Sequence, residues 1–509
     1  MGIEVLDKRS SPILLIRFLH ITVVLGVIYL LSMRFFLAAT MPLWLDETWS
    51  GMIVSRSDWS SFWREAWLDC NPPLYYIFLR GWVAFFGESN LLLRLPAYLF
   101  MLAAAILPLL WRPTGLTKSS AWLFAALLLL WQQALLVMTD ARGYGLLIAL
   151  ATASCLVFVK LLQNLTRARA AVWVALGTLM FLTHYYSGVL AMGQAMVLIF
   201  RHRTAVLRLW PTALIAIPGL SWFFYHLPRL GEYAREDVIW YPSTTVLSTL
   251  GHLGYIVAGS NLIPLAAVVV ILIFMAVQNR RRKLPGSLSE PPTDRDLALA
   301  VLAAGVGFAI AIVIGLFQES LTDRYFIPLV PPAMIGLVLA VQRCNAPALS
   351  GSMLAFMFLI PSLNLNSTYR GAHERGYYGY ERGSDFVARH NPDQLMFFWD
   401  HPAGKILDRQ SLELIGSYFL ARGGMQVPTQ AFVVGERENP NPVLNAAATG
   451  KRPAIIWLYD TAHRSSAHFF PPIFDKDPAW TCQHRRLSMS RGGHMGAIAC
   501  VRLEEKAVD

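Results

Sequence analysis

Charged residues are scarce in this sequence of 509 residues. Only 15% of them are charged, whereas a soluble globular chain carries roughly 25%. Hydrophobic residues make up 55% of the chain, which excludes an intrinsically disordered protein and a collagen-like fibre. A purely soluble enzyme is nearly excluded as well. The composition is therefore typical of a membrane protein.

Cysteine is also scarce, with five residues in the whole chain. No CxxC pair or zinc spacing occurs, which excludes a disulfide-rich scaffold and a zinc finger. Cys482 and Cys500 lie in the polar C-terminal region and could pair if that region faces an oxidising compartment. Cys155 lies in an apolar run, where we expect a small buried hydrophobic residue.

Long apolar runs recur from the N-terminus to about residue 363. A run of about 17–25 residues crosses roughly 30 Å of hydrocarbon. We expect about eleven membrane spans, at 13–38, 92–111, 121–138, 144–162, 172–186, 187–200, 209–226, 255–277, 297–317, 326–342 and 347–363. The segment 74–86 is short and contains Arg80, so we expect an amphipathic helix on the outer membrane surface. The first outer loop is then the Trp-rich segment 39–91.

Basic residues predict the orientation of these spans. Alternate loops carry clusters of Lys and Arg, for example Arg201 and Arg203, whereas the other loops carry acidic residues. The positive-inside rule places the N-terminus in the cytoplasm and everything after residue 363 outside. The net charge of +11 is then explained by topology, and a nucleic-acid partner is not expected.

A change in composition near residue 364 predicts a second domain. Polar residues, Gly and Pro become frequent, and DFVARH is typical of a helix. Short apolar runs between turn signals predict strands at QLMFFWD, AIIWLYD and AIACVRLE. The expected fold class is an α-helical polytopic membrane protein, formed by residues 1–363, with a C-terminal soluble α/β domain, 364–509.

Polar side chains occur in four turns on the expected outer face. They are Asp46 and Glu47 after the first span, Asp140, Arg142 and Tyr144 in TDARGYG, His184 in THYYSG, and Arg324 and Tyr325 in LTDRYFIP. Each turn alone has a structural explanation as a helix cap or a local ion pair. Their convergence on one membrane face favours a functional site. Two carboxylates there could act as a general base and as an orienter of a metal or donor, and Arg suits a phosphate.

The expected inner loops contain no Walker motif, GxGxxG or HExxH. Nucleotide chemistry therefore has no predicted site there, and an energised donor has to reach the outer face within the membrane. A lipid phosphate meets that requirement. A transporter or flippase of a lipid-linked precursor is the alternative hypothesis.

Several ordered motifs resemble the bacterial superfamily of protein O-mannosyltransferases and aminoarabinose (lipid A) transferases, which are GT-C glycosyltransferases. The motifs are Asp46-Glu47, NPPLYYIFLRGWVAFFGESNLLLRLPAYLF at 71–100, TDARGYGLL, THYYSG and DRYFIPLVPP. They extend over roughly residues 1–345. Asn71 stands where relatives commonly have His or Lys.

The resemblance implies a bacterial inner-membrane enzyme that transfers a sugar, with inversion, from a polyprenyl-phosphate donor on the periplasmic side. Asp46 would be the catalytic base, with Glu47 beside it. Arg142, Arg324 and Tyr325 would hold the donor phosphate. Asp140, His184 and Tyr144 would orient the acceptor or a divalent metal, with Glu47, Asp140 and His184 as the candidate metal ligands. The acceptor could be lipid A or core oligosaccharide, another glycan, a lipid or a protein hydroxyl.

Overall fold

The computed structural model describes residues 10–235, 242–282, 292–374, 379–400, 406–433, 450–460, 478–488 and 494–503. Helices dominate this part of the chain, and strands occur only after residue 393. The helices are α1 (Ser10–Thr40), α2 (Leu45–Val54), α3 (Trp59–Leu68), α4 (Leu74–Phe86), α5 (Asn90–Leu110), α6 (Lys118–Leu130), α7 (Ala134–Met138), α8 (Tyr144–Gln163), α9 (Arg167–Thr183), α10 (Gly188–His202), α11 (Ile217–Tyr233), α12 (Val246–Ala258), α13 (Leu262–Arg282), α14 (Pro292–Phe317), α15 (Val330–Gln342), α16 (Pro347–Glu374), α17 (Gly379–Ala388) and α18 (Arg409–Arg422). Short 3₁₀ segments are Tyr185–Ser187, Arg203–Ala216 and Asp323–Leu329.

The multi-pass helical class is confirmed. Among the described residues, seven helical segments are long and apolar enough to cross a membrane, and the pair α12 and α13, bent by 83°, forms an eighth candidate. One of the seven, Tyr185–Tyr233, has 49 residues and folds back on itself, because Tyr185 Oη lies 2.6 Å from His226 Nδ1. The segment therefore contains the predicted spans 187–200 and 209–226. The predicted spans 121–138 and 172–186 coincide with shorter helices, so the count of about eleven stays a prediction.

Small residues allow close packing inside the helical domain. A Cβ atom on Gly193 would lie 2.1 Å from the Ala303 carbonyl oxygen, and one on Gly307 would lie 2.6 Å from that of Val189. Helices α10 and α14 therefore cross with their backbones in near contact, which only glycine permits.

Helix α4 occupies the segment 74–86, as the sequence predicts. It has 13 residues, which is shorter than a membrane span. Tyr75, Tyr76 and Leu79 are buried, whereas the Phe85 side chain is 86% exposed. The amphipathic helix is therefore confirmed, and its location on the outer membrane surface stays a prediction.

The C-terminal region forms a five-stranded sheet with the order β2-β1-β3-β5-β4. The strands are β1 (Gln394–Asp400), β2 (Thr429–Val433), β3 (Pro453–Asp460), β4 (Trp480–Ser488) and β5 (His494–Arg502). Strand β1 pairs in parallel with β2 and β3, whereas β5 pairs antiparallel with β3 and β4. The predicted strands correspond to β1, β3 and β5, and α17 includes part of the predicted helix. Cys482 and Cys500 form a disulfide between β4 and β5, so the expected pairing is confirmed.

This C-terminal region packs on the segment 39–91, which follows α1. Its Glu381 Oε2 accepts a hydrogen bond from the Leu43 backbone N–H at 2.6 Å, and its Arg422 bonds to Asn90 at 2.8 Å. Tyr418 lies so close to α2 that a Cβ atom on Gly51 would be 2.2 Å from its Oη. The C-terminal region therefore supports α2, which carries Asp46 and Glu47.

Candidate active site

Asp46 lies in the first turn of α2, directly after the first long helix. Its Oδ2 atom is 3.1 Å from Arg324 Nη1, although the two residues are 278 positions apart in the sequence. About a third of each side chain is exposed. Arg324 pairs with Asp46, whereas Oδ1 of its sequence neighbour Asp323 lies 2.6 Å from His252 Nδ1. The site thus has an accessible carboxylate next to an accessible guanidinium.

Arg142 lies beneath α2 and is buried. Its Nη1 atom donates to the Asp46 carbonyl oxygen at 3.2 Å, to Ser50 Oγ at 3.3 Å and to Tyr76 Oη at 3.1 Å. The two hydrogens of Nη1 are shared among these three acceptors, and Nε and Nη2 make no hydrogen bond within the described chain. The turn before α8 therefore brings a second guanidinium to Asp46, with donors still available.

Glu47 is 99% buried and fully bonded. Arg94 donates to both of its oxygens, each at 2.6 Å, and the Ala141 and Trp44 backbone N–H groups donate at 2.8 and 3.0 Å. The carboxylate thereby connects α2, α5 and the turn at Ala141. Its contacts are those of a structural ion pair. The sequence reasoning did not assign Arg94, although a charged residue in an apolar run was a usable signal.

Asp140 lies beside this ion pair. Its Oδ1 atom accepts a hydrogen bond from Trp44 Nε1 at 3.1 Å. Burial, together with the nearby Glu47 carboxylate, raises the pKa of Asp140 to about 8. Asp140 is therefore mainly protonated at pH 7 and can donate a hydrogen bond through its second oxygen.

His184 joins an aromatic group made with Tyr144, Tyr186 and Tyr325. The His184 ring centroid lies 4.9 Å from that of Tyr325 and 6.1 Å from that of Tyr144, and Tyr186 stacks on Tyr325 at 4.8 Å. His184 is 6% exposed, and its Nδ1 atom has no hydrogen-bond partner among the described residues. The group connects the turns after α9, before α8 and before α15.

A small pocket lies between these turns. Its lining combines aromatic rings with a few polar groups: Asn71, Pro72, Tyr75, Tyr76, Arg142, Gly143, Tyr144, Thr183 and His184. Asn71 and Tyr76 both donate to Asp69 behind the wall, Asn71 at 2.9 Å. The sequence reasoning missed Tyr75, Tyr76 and Asp69, although the NPPLYY run contains or closely follows them.

The three candidate metal ligands do not form a metal cluster. Within the described ranges, no group of three His, Cys, Asp or Glu side chains could hold a metal ion. The Glu47 oxygens accept from Arg94 and from two backbone N–H groups instead. The structure brings Asp46, Arg142 and Arg324 together, and it places Tyr144 and His184 along the adjacent pocket.

Comparison with known proteins supports the fold. No protein-family model matches the sequence, and no curated protein is significantly similar to it. The solved structures that match include ArnT from Cupriavidus metallidurans in the apo state and the same protein bound to undecaprenyl phosphate. Each has a TM-score of 0.57 and 12% sequence identity, and the match covers 94% of this chain and 97% of that one. The chain has the fold of ArnT. The expected GT-C membrane fold is thereby confirmed, and at this identity the likeness concerns the fold alone.

Proposed function

We propose that the chain is an integral-membrane glycosyltransferase of the bacterial inner membrane. It moves a sugar from a polyprenyl-phosphate donor to a hydroxyl of a cell-envelope acceptor on the periplasmic face. The N-terminus is cytoplasmic and the sheet region is periplasmic. The observation that carries this proposal is the exposed carboxylate of Asp46, which has Arg324 at 3.1 Å and Arg142 bonded to its own backbone.

Asp46 acts as the general base. Its side chain is accessible at the outer turns, and its pairing with Arg324 orients the carboxylate. The acceptor hydroxyl gives its proton to Asp46 while its oxygen bonds to the sugar C1 atom. The bond between C1 and the phosphate oxygen breaks, and polyprenyl phosphate leaves with the electron pair. Base catalysis of this kind contributes about 10²–10⁴-fold to the rate.

Arg142 and Arg324 bind the donor phosphate. Nε and Nη2 of Arg142 make no hydrogen bond within the described chain, and guanidinium groups suit phosphate oxygens. Both cations stabilise the charge that develops on the leaving phosphate. Tyr325, stacked on Tyr186, borders the same site. The structure of ArnT with undecaprenyl phosphate supports a lipid-phosphate ligand for this fold.

The other site residues position the reactants. Glu47 holds α2 through Arg94, so it is a positioning residue. Asp140, protonated at neutral pH, offers a hydrogen bond to the acceptor. Tyr144 and His184 contact the acceptor or donor from the pocket wall.

Mass analysis of envelope glycolipids and glycans tests this function in cells that contain or lack the chain. We expect one component to lose one sugar in cells that lack it, and the wild-type gene to restore that sugar. The Asp46→Asn variant should insert into the membrane but fail to restore it. Asp58→Asn is a matched control, since Asp58 caps α3 through Ser61. A transporter needs no general base, so the Asp46→Asn variant of a transporter should restore the sugar fully. Full restoration by this variant would reject the proposal.

A further inference from the structure

Residues 41–43 connect α1 to α2, the helix that carries the proposed base. The Met41 carbonyl oxygen accepts hydrogen bonds from Arg94 Nη1 at 2.5 Å and from Asn90 Nδ2 at 3.2 Å. The Pro42 carbonyl oxygen accepts from Arg94 Nη2 at 2.8 Å. Both donor side chains belong to α5, which is one of the candidate membrane spans. Helix α5 therefore holds the carbonyl groups of this connection.

The N–H side of the connection is bound by a different part of the chain. Proline has no N–H group, so Leu43 is the first backbone donor after Met41. The Leu43 N–H donates to Glu381 Oε2 at 2.6 Å, although the two residues are 338 positions apart. Leu43 is 1% exposed, and a buried N–H group without an acceptor is costly. A side chain of the C-terminal region therefore fixes the backbone three residues before Asp46.

The Glu381 carboxylate is itself held in place. Asn90 Nδ2 lies 3.0 Å from each of its two oxygens, and Arg422 Nη2 lies 3.1 Å from Oε1. Arg422 Nη2 also donates to Asn90 Oδ1 at 2.8 Å. The Glu381 and Arg422 side chains are 14% and 19% exposed, and hydrogen bonds between charged groups are strong. Glu381 is therefore a fixed acceptor, in contrast to a surface glutamate whose side chain is free to rotate.

Other contacts also join the C-terminal region to the helical domain. Ser411 Oγ donates to Glu65 Oε2 at 2.8 Å. Arg229 Nη1 donates to the Ile406 carbonyl oxygen at 2.9 Å. These contacts lie on α3 and α11, whereas the contact of Glu381 lies on the backbone that leads into α2. Attachment of the two regions alone therefore does not account for Glu381.

We propose that Glu381 is a positioning residue for Asp46. Its bond to the Leu43 N–H sets the start of α2, and this places the Asp46 carboxylate beside Arg324. The proposal rests on the proposed function, which makes Asp46 the general base. A base works within hydrogen-bond reach of the proton that it accepts, and a misplacement of about 1 Å costs up to about 10²-fold in rate. The C-terminal region thus takes part in the reaction by fixing the base.

Turnover by the purified full-length protein in detergent tests this role. A lipid extract from cells that lack the chain supplies the unused donor, and an envelope extract from the same cells supplies the acceptor. The maximal rate of polyprenyl phosphate release is measured at saturating extract. Glu381→Met keeps the length of the side chain but has no acceptor for the Leu43 N–H, so this rate should fall about tenfold or more. Glu381→Gln keeps an oxygen acceptor and should stay within about threefold of the wild type.

A double variant distinguishes positioning from a general loss of structure. In an Asp46→Asn background the base is absent, so the addition of Glu381→Met should lower the residual turnover by less than about twofold. Affinity for bare polyprenyl phosphate should change less than the maximal rate does, because Arg142 is also held by Tyr76. Ser411→Ala is the matched control: it removes a contact between the same two regions and should retain wild-type turnover.

Arg422→Met provides the same test if Glu381→Met does not fold. This variant removes a cation that holds the Glu381 carboxylate and leaves the acceptor itself in place. The maximal rate should fall by a smaller factor than in Glu381→Met, and the effect should again depend on the presence of Asp46.

The contrary results fall into two groups. Wild-type turnover by Glu381→Met, or by Arg422→Met if the first variant does not fold, would overturn the inference while the proposed function stands. A full further loss in the Asp46→Asn background would do the same, because it would indicate a structural role only. Full turnover by Asp46→Asn, or no release of polyprenyl phosphate by the wild type, would reject the proposed function and the inference with it.

Discussion

Replacing Arg94 with Met should destabilise the protein by about 3–5 kcal/mol, because it leaves a buried carboxylate without its cation. Arg94 and Glu47 are each 1% exposed and share two hydrogen bonds of 2.6 Å. The variant retains an apolar side chain of similar length, so most of the packing survives. The free energy of unfolding can be measured by denaturant titration in mixed micelles.

A double variant makes this test specific. Glu47→Gln combined with Arg94→Met removes the uncompensated charge and should recover a large part of the lost stability. Arg409→Met is the matched control, since Arg409 pairs with Glu413 on an exposed helix surface and should cost at most about 0.5 kcal/mol. A loss in Arg94→Met no larger than that of the control would refute the assigned role of the buried pair.

Three further predictions concern charge and redox state. The pKa of Asp140 is about 8 in the folded protein, above the ordinary 3.8. Between pH 4 and pH 8 the carboxyl group ionises more readily in the unfolded chain, so the free energy of unfolding falls as the pH rises through this range. Asp140→Asn should therefore unfold at a higher temperature than the wild type at pH 8, and the difference should vanish near pH 4; no difference at pH 8 would contradict this. Arg324→Gln should weaken binding of polyprenyl phosphate about tenfold or more, through loss of a charge-assisted contact, and unchanged affinity in a lipid-binding assay would contradict it. Thiol labelling of the unfolded chain should find three free cysteines before reduction and five after it, because Cys482 and Cys500 are paired. Five labelled thiols before reduction would contradict an oxidising compartment.

The helical fold could be predicted because apolar runs reflect a strong physical constraint. A chain in hydrocarbon has to satisfy its backbone polar groups internally, so long apolar runs become helices. Short helices broken by turns, such as α6 and α7, do not carry that signal, which is why the number of spans stays open. Strand β4 was not predicted because it contains Gln483, His484 and two Arg residues and lacks an apolar run. Strand β2 was not predicted either.

Sequence indicated the turns that form the candidate site, but it did not indicate which side chains pair with each other. Asp46 and Glu47 are adjacent on a helix, where successive side chains point about 100° apart, so only one can face the accessible side. Sequence alone cannot decide which one, and packing against Arg94 places Glu47 inside. Arg324 had an acidic neighbour in Asp323, and its actual partner comes from a turn 278 positions away.

The buried polar atoms of the pocket could not be predicted from the sequence. Tyr75 lies in the NPPLYY motif and His184 in THYYSG, but aromatic residues near a membrane surface are common. Only the three-dimensional structure reveals that both side chains keep a buried polar atom without a partner in the described chain. Identification of such atoms requires a complete account of donors and acceptors around the pocket.

The most direct test of the central claim is the turnover of a polyprenyl-phosphate sugar by purified wild-type protein and Asp46→Asn, with an envelope extract as the acceptor. Release of polyprenyl phosphate should fall by about 10²-fold or more in the variant, which loses its general base, while the folded protein and its donor affinity are retained. Wild-type turnover by Asp46→Asn, or a donor left chemically intact by the wild type, would contradict the account.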